Sequence, residues 1–251
     1  IPRQSSGADE AHKLRGDLLL YGKRDMDAAM VAYREALQVN PSYLEGQAAV
    51  VQLLLLQGKT EAAAEALQRL AKAAPGKPQT LYLQAMLAYA KNDLKAAQEH
   101  AQKLVSLTPE NFRALELAGM TELRLGANVQ AEALLAKALQ LEAGLPMARR
   151  GLVTAYVRQG RLDKAMSALP VDVERNDRDP GMMALAGQVY MLHGDVERAQ
   201  RYFARASNLD PKDPAKRTSL AVSRLASGQG DAALGELQSI AASDDGVVAD
   251  M

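Results

Sequence analysis

The segment GQGDAALG sets Gly228, Gly230 and Ala233 at G-x-G-x-x-A spacing, a pattern that lets a pyrophosphate approach the backbone at a helix N-terminus. That chemistry needs a strand running into the tight turn. Here a helical pattern precedes it, and Gly228 and Ala233 both belong to a longer periodicity, so nucleotide binding is not expected. His12, His100 and His193 lie far apart and form no H-E-x-x-H or similar ligand pair. His100 and His193 read as residues of solvated helix faces or turns. There is no Gly-x-Ser-x-Gly elbow, no phosphate loop and no cysteine, which removes thiolate metal sites, cysteine nucleophiles and disulfides. Carboxylates are abundant, but paired catalytic acids cannot be told from surface charge by spacing alone. No catalytic residue, metal or cofactor is expected, and the chain does not read as an enzyme.

Composition turns attention to the elements that carry these residues. The chain has 251 residues, 48% of them hydrophobic and only 4% aromatic. Alanine and leucine dominate, which favours close-packed helices over a sandwich rich in valine, tyrosine and tryptophan. Thirty basic residues balance thirty acidic ones, so no global field draws in nucleic acid or an anionic membrane. The longest apolar run, AAVVQLLLL, is too short to span a bilayer, and no signal peptide precedes it. The absence of cysteine suits cytoplasm and periplasm equally. Starting at Ile1 and closing at Met251, the chain reads as a fragment of a longer protein.

A period of 34 organises the chain. Steps of that length join Ala29, Ala63, Ala97, Ala131, Ala165, Ala199 and Ala233. A second column holds Arg24, Gly58, Asn92, Gly126, Gly160, Gly194 and Gly228, mostly residues that tolerate a left-handed backbone. Two proline columns, Pro41, Pro75, Pro109 and Pro211 beside Pro78, Pro146, Pro180 and Pro214, punctuate helices rather than interrupt them. Each unit therefore reads as two helices with a turn between. In the sixth, GMMALAGQVYMLH forms the first helix, Gly194-Asp195 the turn and VERAQRYFARASN the second. The alanine column marks where the two helices cross too closely for a larger side chain.

These residues resemble the tetratricopeptide repeat, with Gly187, Tyr190, Gly194, Ala199, Phe203, Ala206 and Pro211 of the sixth unit in the family's places. The resemblance implies an all-α, right-handed α-solenoid of antiparallel helix pairs. Units are expected at 10–43, 44–77, 78–111, 112–145, 146–179, 180–213 and 214–247. A polar segment, 1–9, precedes them, and 248–251 would open a truncated further helix. In the first unit Gly22 stands near a turn whose column position is Arg24, which predicts a shifted or lengthened turn around YGKRD. In the fifth, Pro170 would remove a hydrogen bond and clash with the preceding turn. The second helix should therefore stop near Leu169, leaving VDVERNDRD irregular.

The resemblance further implies that the first helix of each repeat lines a concave surface, at unit positions near 2, 5, 9, 12 and 13. Those positions hold Tyr82, Met86 and Tyr89 in repeat three, and Arg113, Glu116, Met120 and Arg124 in repeat four. Repeat five contributes Met147, Arg150, Thr154 and Arg158, and repeat six Gln188 and Met191. The lining is basic in the middle with a tyrosine and methionine flank. Arginine forks recognise carboxylates, tyrosine offers a stacking face, and methionine adapts to irregular ligands. An acidic extended peptide, a partner's chain terminus or an anionic saccharide suits such a surface, as does simple solvation of the charges. The carboxylate clamp of some chaperone-type members needs Lys and Asn at set positions, and no Asn falls among these residues, so that clamp is not expected.

The phrasing TSLAVSRLASGQGDAALGEL resembles bacterial tetratricopeptide lipoproteins of exosortase/PEP-CTERM and exopolysaccharide export systems. That implies a non-enzymatic periplasmic scaffold, with a membrane anchor outside these residues. A cytoplasmic peptide-binding adaptor or co-chaperone, and a regulatory array of a larger enzyme, stay open. End-to-end self-association is a further expectation for stacked repeats.

Overall fold

Where this chain turns is decided by backbone handedness. All seven residues of the Arg24-to-Gly228 column have positive φ, from 56° at Arg24 to 91° at Gly194. Glycine carries no Cβ penalty there, and asparagine is among the few other residues that visit this region readily. In six of the turns an amide reaches back five residues to a carbonyl: Lys59 to Leu54, Asp93 to Ala88, Ala127 to Glu122, Arg161 to Tyr156, Asp195 to Tyr190 and Gln229 to Arg224. This bond satisfies carbonyls that the ending helix leaves without partners.

The computed structural model describes residues 7–170 and 179–249. Among them are fourteen α-helices and no strand. They are α1 (Ala8–Asp17), α2 (Met26–Val39), α3 (Leu44–Leu56), α4 (Thr60–Ala73), α5 (Pro78–Ala90), α6 (Leu94–Leu107) and α7 (Phe112–Arg124). There follow α8 (Asn128–Leu141), α9 (Pro146–Arg158), α10 (Leu162–Ala168), α11 (Pro180–His193), α12 (Val196–Leu209), α13 (Pro214–Ala226) and α14 (Gly230–Ala249). α14 continues through residues 248 and 249, where the sequence led us to expect a new helix to open. Pro78, Pro146, Pro180 and Pro214 each stand in the first turn of a helix, where a missing N–H costs nothing.

The expected lengthened turn at Gly22 has a different form. Gly22 lies in a π-helical stretch, Leu18–Gly22, that continues α1, and Arg24 takes the left-handed conformation instead. The Asp25 amide reaches back six residues to the Leu19 carbonyl, one more than in the other turns. A π-helical stretch absorbs such an extra residue without moving the turn. At Pro170 the expectation holds: α10 ends at Ala168 and Leu169 is extended. The predicted irregularity over 171–178 lies outside the described residues.

The helices form two compact units. The first comprises residues up to Ala127 with Gln140–Glu142, and the second Asn128–Leu139 with the chain from Ala143 onward. Within the first, α1 packs antiparallel on α2, α3 on α4 and α5 on α6. In the second the pairs are α9 with α10, α11 with α12 and α13 with α14. The alanine column lies at their crossings: six of the seven are 0% exposed and Ala233 is 2% exposed. Glycines extend the same close approach. A Cβ on Gly16 would stand 2.4 Å from the Tyr33 ring, and one on Gly187 would stand 2.7 Å from Phe203. Around these contacts Tyr33, Val51, Leu53, Leu67, Leu70 and Leu83 form the core of the first unit. In the second, Met183, Ala186, Tyr202 and Ala206 cluster together, with Tyr202 stacked on Tyr190 at 5.3 Å.

Candidate functional site

Because every second helix carries the alanine face, the first helices of successive pairs are left to meet one another. α1, α3, α5 and α7 touch in sequence within the first unit, as do α9, α11 and α13 within the second. Residues at unit positions 2, 5 and 9 of these helices surround one cavity in each unit.

In the first unit the cavity is about 310 Å³ and is lined by Gln52 of α3, Gln79 and Tyr82 of α5, and Asn111 and Arg113 at the start of α7. Pro78 and the buried Leu83 and Leu104 complete the lining. Asn111 is the N-cap of α7, and its Oδ1 accepts from the amides of Arg113 at 3.0 Å and Ala114 at 3.2 Å. That bond uses the oxygen and leaves the amide NH2 available for donation. The exposed Arg113 guanidinium lies 5.7 Å from the centre of the Phe112 ring, and no carboxylate among the described residues pairs with it. Burial pushes the Tyr82 phenol above its usual pKa, while the neighbouring Arg113 charge pulls it down. Glu116, half-buried, acts on the same phenol from within α7.

Tyr89 and Arg124 are also brought together, but for another purpose. The Arg124 guanidinium covers the Tyr89 ring at 4.5 Å, donates to the Tyr89 carbonyl at 3.1 Å and donates to Asn92 Oδ1. Its donors brace the left-handed Asn92 turn. Met86 and Met120 are half-buried.

The second unit has a cavity of about 530 Å³ lined by Arg150 and Thr154 of α9, Gly181, Ala184 and Gln188 of α11, and Ser219 of α13. Here the guanidinium is engaged. Arg150 Nη1 lies 3.3 Å and 3.5 Å from the two Asp179 oxygens, and Nη2 lies 3.0 Å from Met147 Sδ. Asp179 also caps α11, accepting from the Gly181 amide at 2.8 Å. Thr154 bonds back to the Arg150 carbonyl at 2.8 Å. Arg158 is exposed in the last turn of α9, and Met191 packs half-buried against Ala199, Phe203 and Leu220.

Gln52, Gln79, Asn111, Asp179 and Ser219 were not among the residues picked out from sequence. Gln52 and Gln79 occupy unit positions 9 and 2, so carrying the same positions into repeat two and across all of repeat three would have found them. Asn111 and Asp179 sit one residue before the first helix and look like ordinary caps. The asparagine absent from the expected lining is thus supplied by a cap, Asn111, with two glutamines beside it. His100, expected on a solvated face, is half-buried with its Nδ1 unpartnered, and burial lowers its pKa below the usual value. His193 is exposed, and His12 lies 3.1 Å from Glu35.

Two family models, both described as tetratricopeptide repeat, match the chain: one over residues 20–87 and 122–189, the other over 82–146 and 185–247. The chain belongs to the tetratricopeptide repeat family. No curated protein matches it. Among solved structures, PilF of Pseudomonas aeruginosa superposes with a TM-score of 0.69 at 18% identity, over 83% of this chain and 95% of that one. PilW, a widely conserved type IV pilus biogenesis factor, gives 0.72 at 17% identity, over 84% and 98%. YrrB, a tetratricopeptide protein with an unusual peptide-binding site, gives 0.56 at 19%, over 74% and 95%. At these identities the likeness establishes the fold. No helix among the described residues is long and apolar enough to cross a membrane.

Proposed function

We propose that the chain is a non-enzymatic scaffold of about seven tetratricopeptide repeats whose first helices hold an extended, anionic segment of a partner protein. The observation that carries this reading is Arg113: an exposed guanidinium beside a cavity of amides and one tyrosine, with no carboxylate of the described residues on it. A cation so placed offers planar, bidentate geometry to a carboxylate at little reorganisation cost. YrrB, described as having a peptide-binding site, is a precedent for peptide recognition on this fold.

The setting we propose is a bacterial envelope system for exopolysaccharide or PEP-CTERM protein export, with the scaffold facing the periplasm. It rests on the resemblance of TSLAVSRLASGQGDAALGEL, and PilW, described as a pilus biogenesis factor, is a precedent for envelope assembly work. Full-length protein recovered with the periplasmic face of the membrane supports this setting, and recovery in the cytosol contradicts it. The binding reading is tested by titrating the chain into a fluorescein-labelled peptide rich in Asp and Glu and into its Asn and Gln counterpart. Tighter binding of the acidic peptide, lost on replacing Arg113 by Ala with circular dichroism unchanged, is the expected result. Equal binding of the two peptides would overturn it.

A further inference from the structure

The face that holds the Arg113 cavity continues toward the start of the chain. Leu14, Leu18 and Tyr21 follow one another at i, i+4 and i+7 on α1 and its π-helical continuation, and are 52%, 72% and 64% exposed. Single exposed leucines are ordinary, but three large apolar side chains on one helical face form a patch that proteins use for contact. This patch is tied to the cavity. Gln52 Nε2 donates to the Tyr21 hydroxyl at 3.3 Å, and Gln52 itself lines the cavity with Gln79, Tyr82, Asn111 and Arg113. Along α1, α3, α5 and α7 the chemistry therefore runs from apolar, through amide, to cationic.

We propose that this face of the first unit receives an extended partner peptide with a large apolar side chain at one end and a carboxylate at the other, about eight residues apart. The apolar residue covers Leu14, Leu18 and Tyr21, and the carboxylate pairs with Arg113. Between them the amides of Gln52, Gln79 and Asn111 offer donors and acceptors to a main chain that has no secondary structure of its own. Spacing follows from the helices. Packed helix axes lie about 8–10 Å apart, so three steps from α1 to α7 cover roughly 25–30 Å. An extended chain rises about 3.3 Å per residue, which fills that span with eight or nine residues. The inference rests on the peptide-binding reading of Arg113 and adds the order and spacing of the peptide's features.

Fluorescence anisotropy with the whole chain tests it, using three labelled peptides. The first carries Phe, eight Gly/Ser residues and then Asp-Glu; the second has Ser for Phe; the third keeps Phe but shortens the spacer to three residues. The first peptide should bind about tenfold or more tighter than the other two, the effect of burying one large apolar side chain. Leu18→Asp, at an exposed position, should erase that advantage with the circular dichroism spectrum intact, and Arg113→Gln should weaken all three. If the second peptide binds as well as the first, the apolar end has no role and this inference falls while the acidic-peptide reading stands. If no acidic peptide binds, both fall. A concentration-dependent dimer in sedimentation that Leu18→Asp dissociates, with peptide affinity unchanged, would assign the patch to a second copy and overturn the proposal.

Discussion

Sixty-eight residues apart, two triplets occupy the same positions of the repeat: Tyr82, Asn111 and Arg113 in the first unit, and Arg150, Asp179 and Gly181 in the second. Each brings a unit-position-5 residue, the next helix's cap and the residue two beyond it to the rim of a cavity. In the first the cap is a neutral asparagine, and the guanidinium comes from the third position without a carboxylate partner among the described residues. In the second the guanidinium comes from the first position and the cap is an aspartate that takes it. Gly181 then makes room, since a Cβ there would lie 2.7 Å from Arg150 Nη1. One scaffold thus presents a cation in one unit and an internally neutralised pair in the other. An arginine at a groove position is therefore not a binding residue until its cap neighbour is known.

The largest expected effects fall on what the two units share. Ala97→Leu in the first and Ala199→Leu in the second should each destabilise by about 1–3 kcal/mol, because both alanines are 0% exposed at a helix crossing. Thermal or urea unfolding checks this, and a change near zero at either site would mean that its crossing has slack. The next effect separates the units. Asp179→Asn keeps a residue that caps α11 well but releases Arg150, whose side chain is 34% exposed. The pair is screened by solvent, so stability should fall by no more than about 1 kcal/mol. Affinity for an acidic peptide should rise, making the second unit resemble the first.

A third change tests the turn column. Arg24 holds φ at 56° with a Cβ that glycine would lack. Arg24→Gly should stabilise by up to about 1 kcal/mol, the relief of left-handed strain less the added freedom of the unfolded chain. Loss of stability in unfolding measurements would mean that the Arg24 side chain contributes more than its backbone costs. The smallest change is Gly181→Ala. The nearest atom in the way is the tip of a flexible arginine, with the capping Asp179 Oδ1 next at 3.1 Å, so stability should shift by no more than about half a kcal/mol, while the Arg150 contact with Asp179 is displaced. A crystal structure of that variant with the pair intact would show that the glycine is not needed for it.

Much of the fold was legible because its period is enforced by contacts that admit few residue types. Only alanine fits the crossings, and only glycine or asparagine turns cheaply at Gly58, Asn92 or Gly194. Arg24 shows the limit of that legibility. Its type argued against a left-handed turn, and the extra residue was absorbed in Leu18–Gly22, where leucines give no local sign of π-helical hydrogen bonding. The site was legible in part. Tyr82, Arg113, Arg150, Thr154 and Gln188 do meet cavities. What sequence could not show is how each guanidinium spends its donors. Arg124 closes on Tyr89 and Asn92, and Arg150 on Asp179, across separations of about one repeat that only the stacking of helices makes short.

Arginine against arginine is the most direct test of this account. Arg113→Gln and Arg150→Gln, each folded by circular dichroism, should be titrated with the same labelled acidic peptide at low salt, where charge recognition is least screened. Losing a guanidinium that no described carboxylate holds and that meets the peptide's should weaken binding about tenfold or more, whereas losing one already paired with Asp179 should change it by less than about threefold. Equal losses at the two positions, or a larger loss at Arg150, would contradict the claim that the cap residue decides which unit offers its charge to a partner.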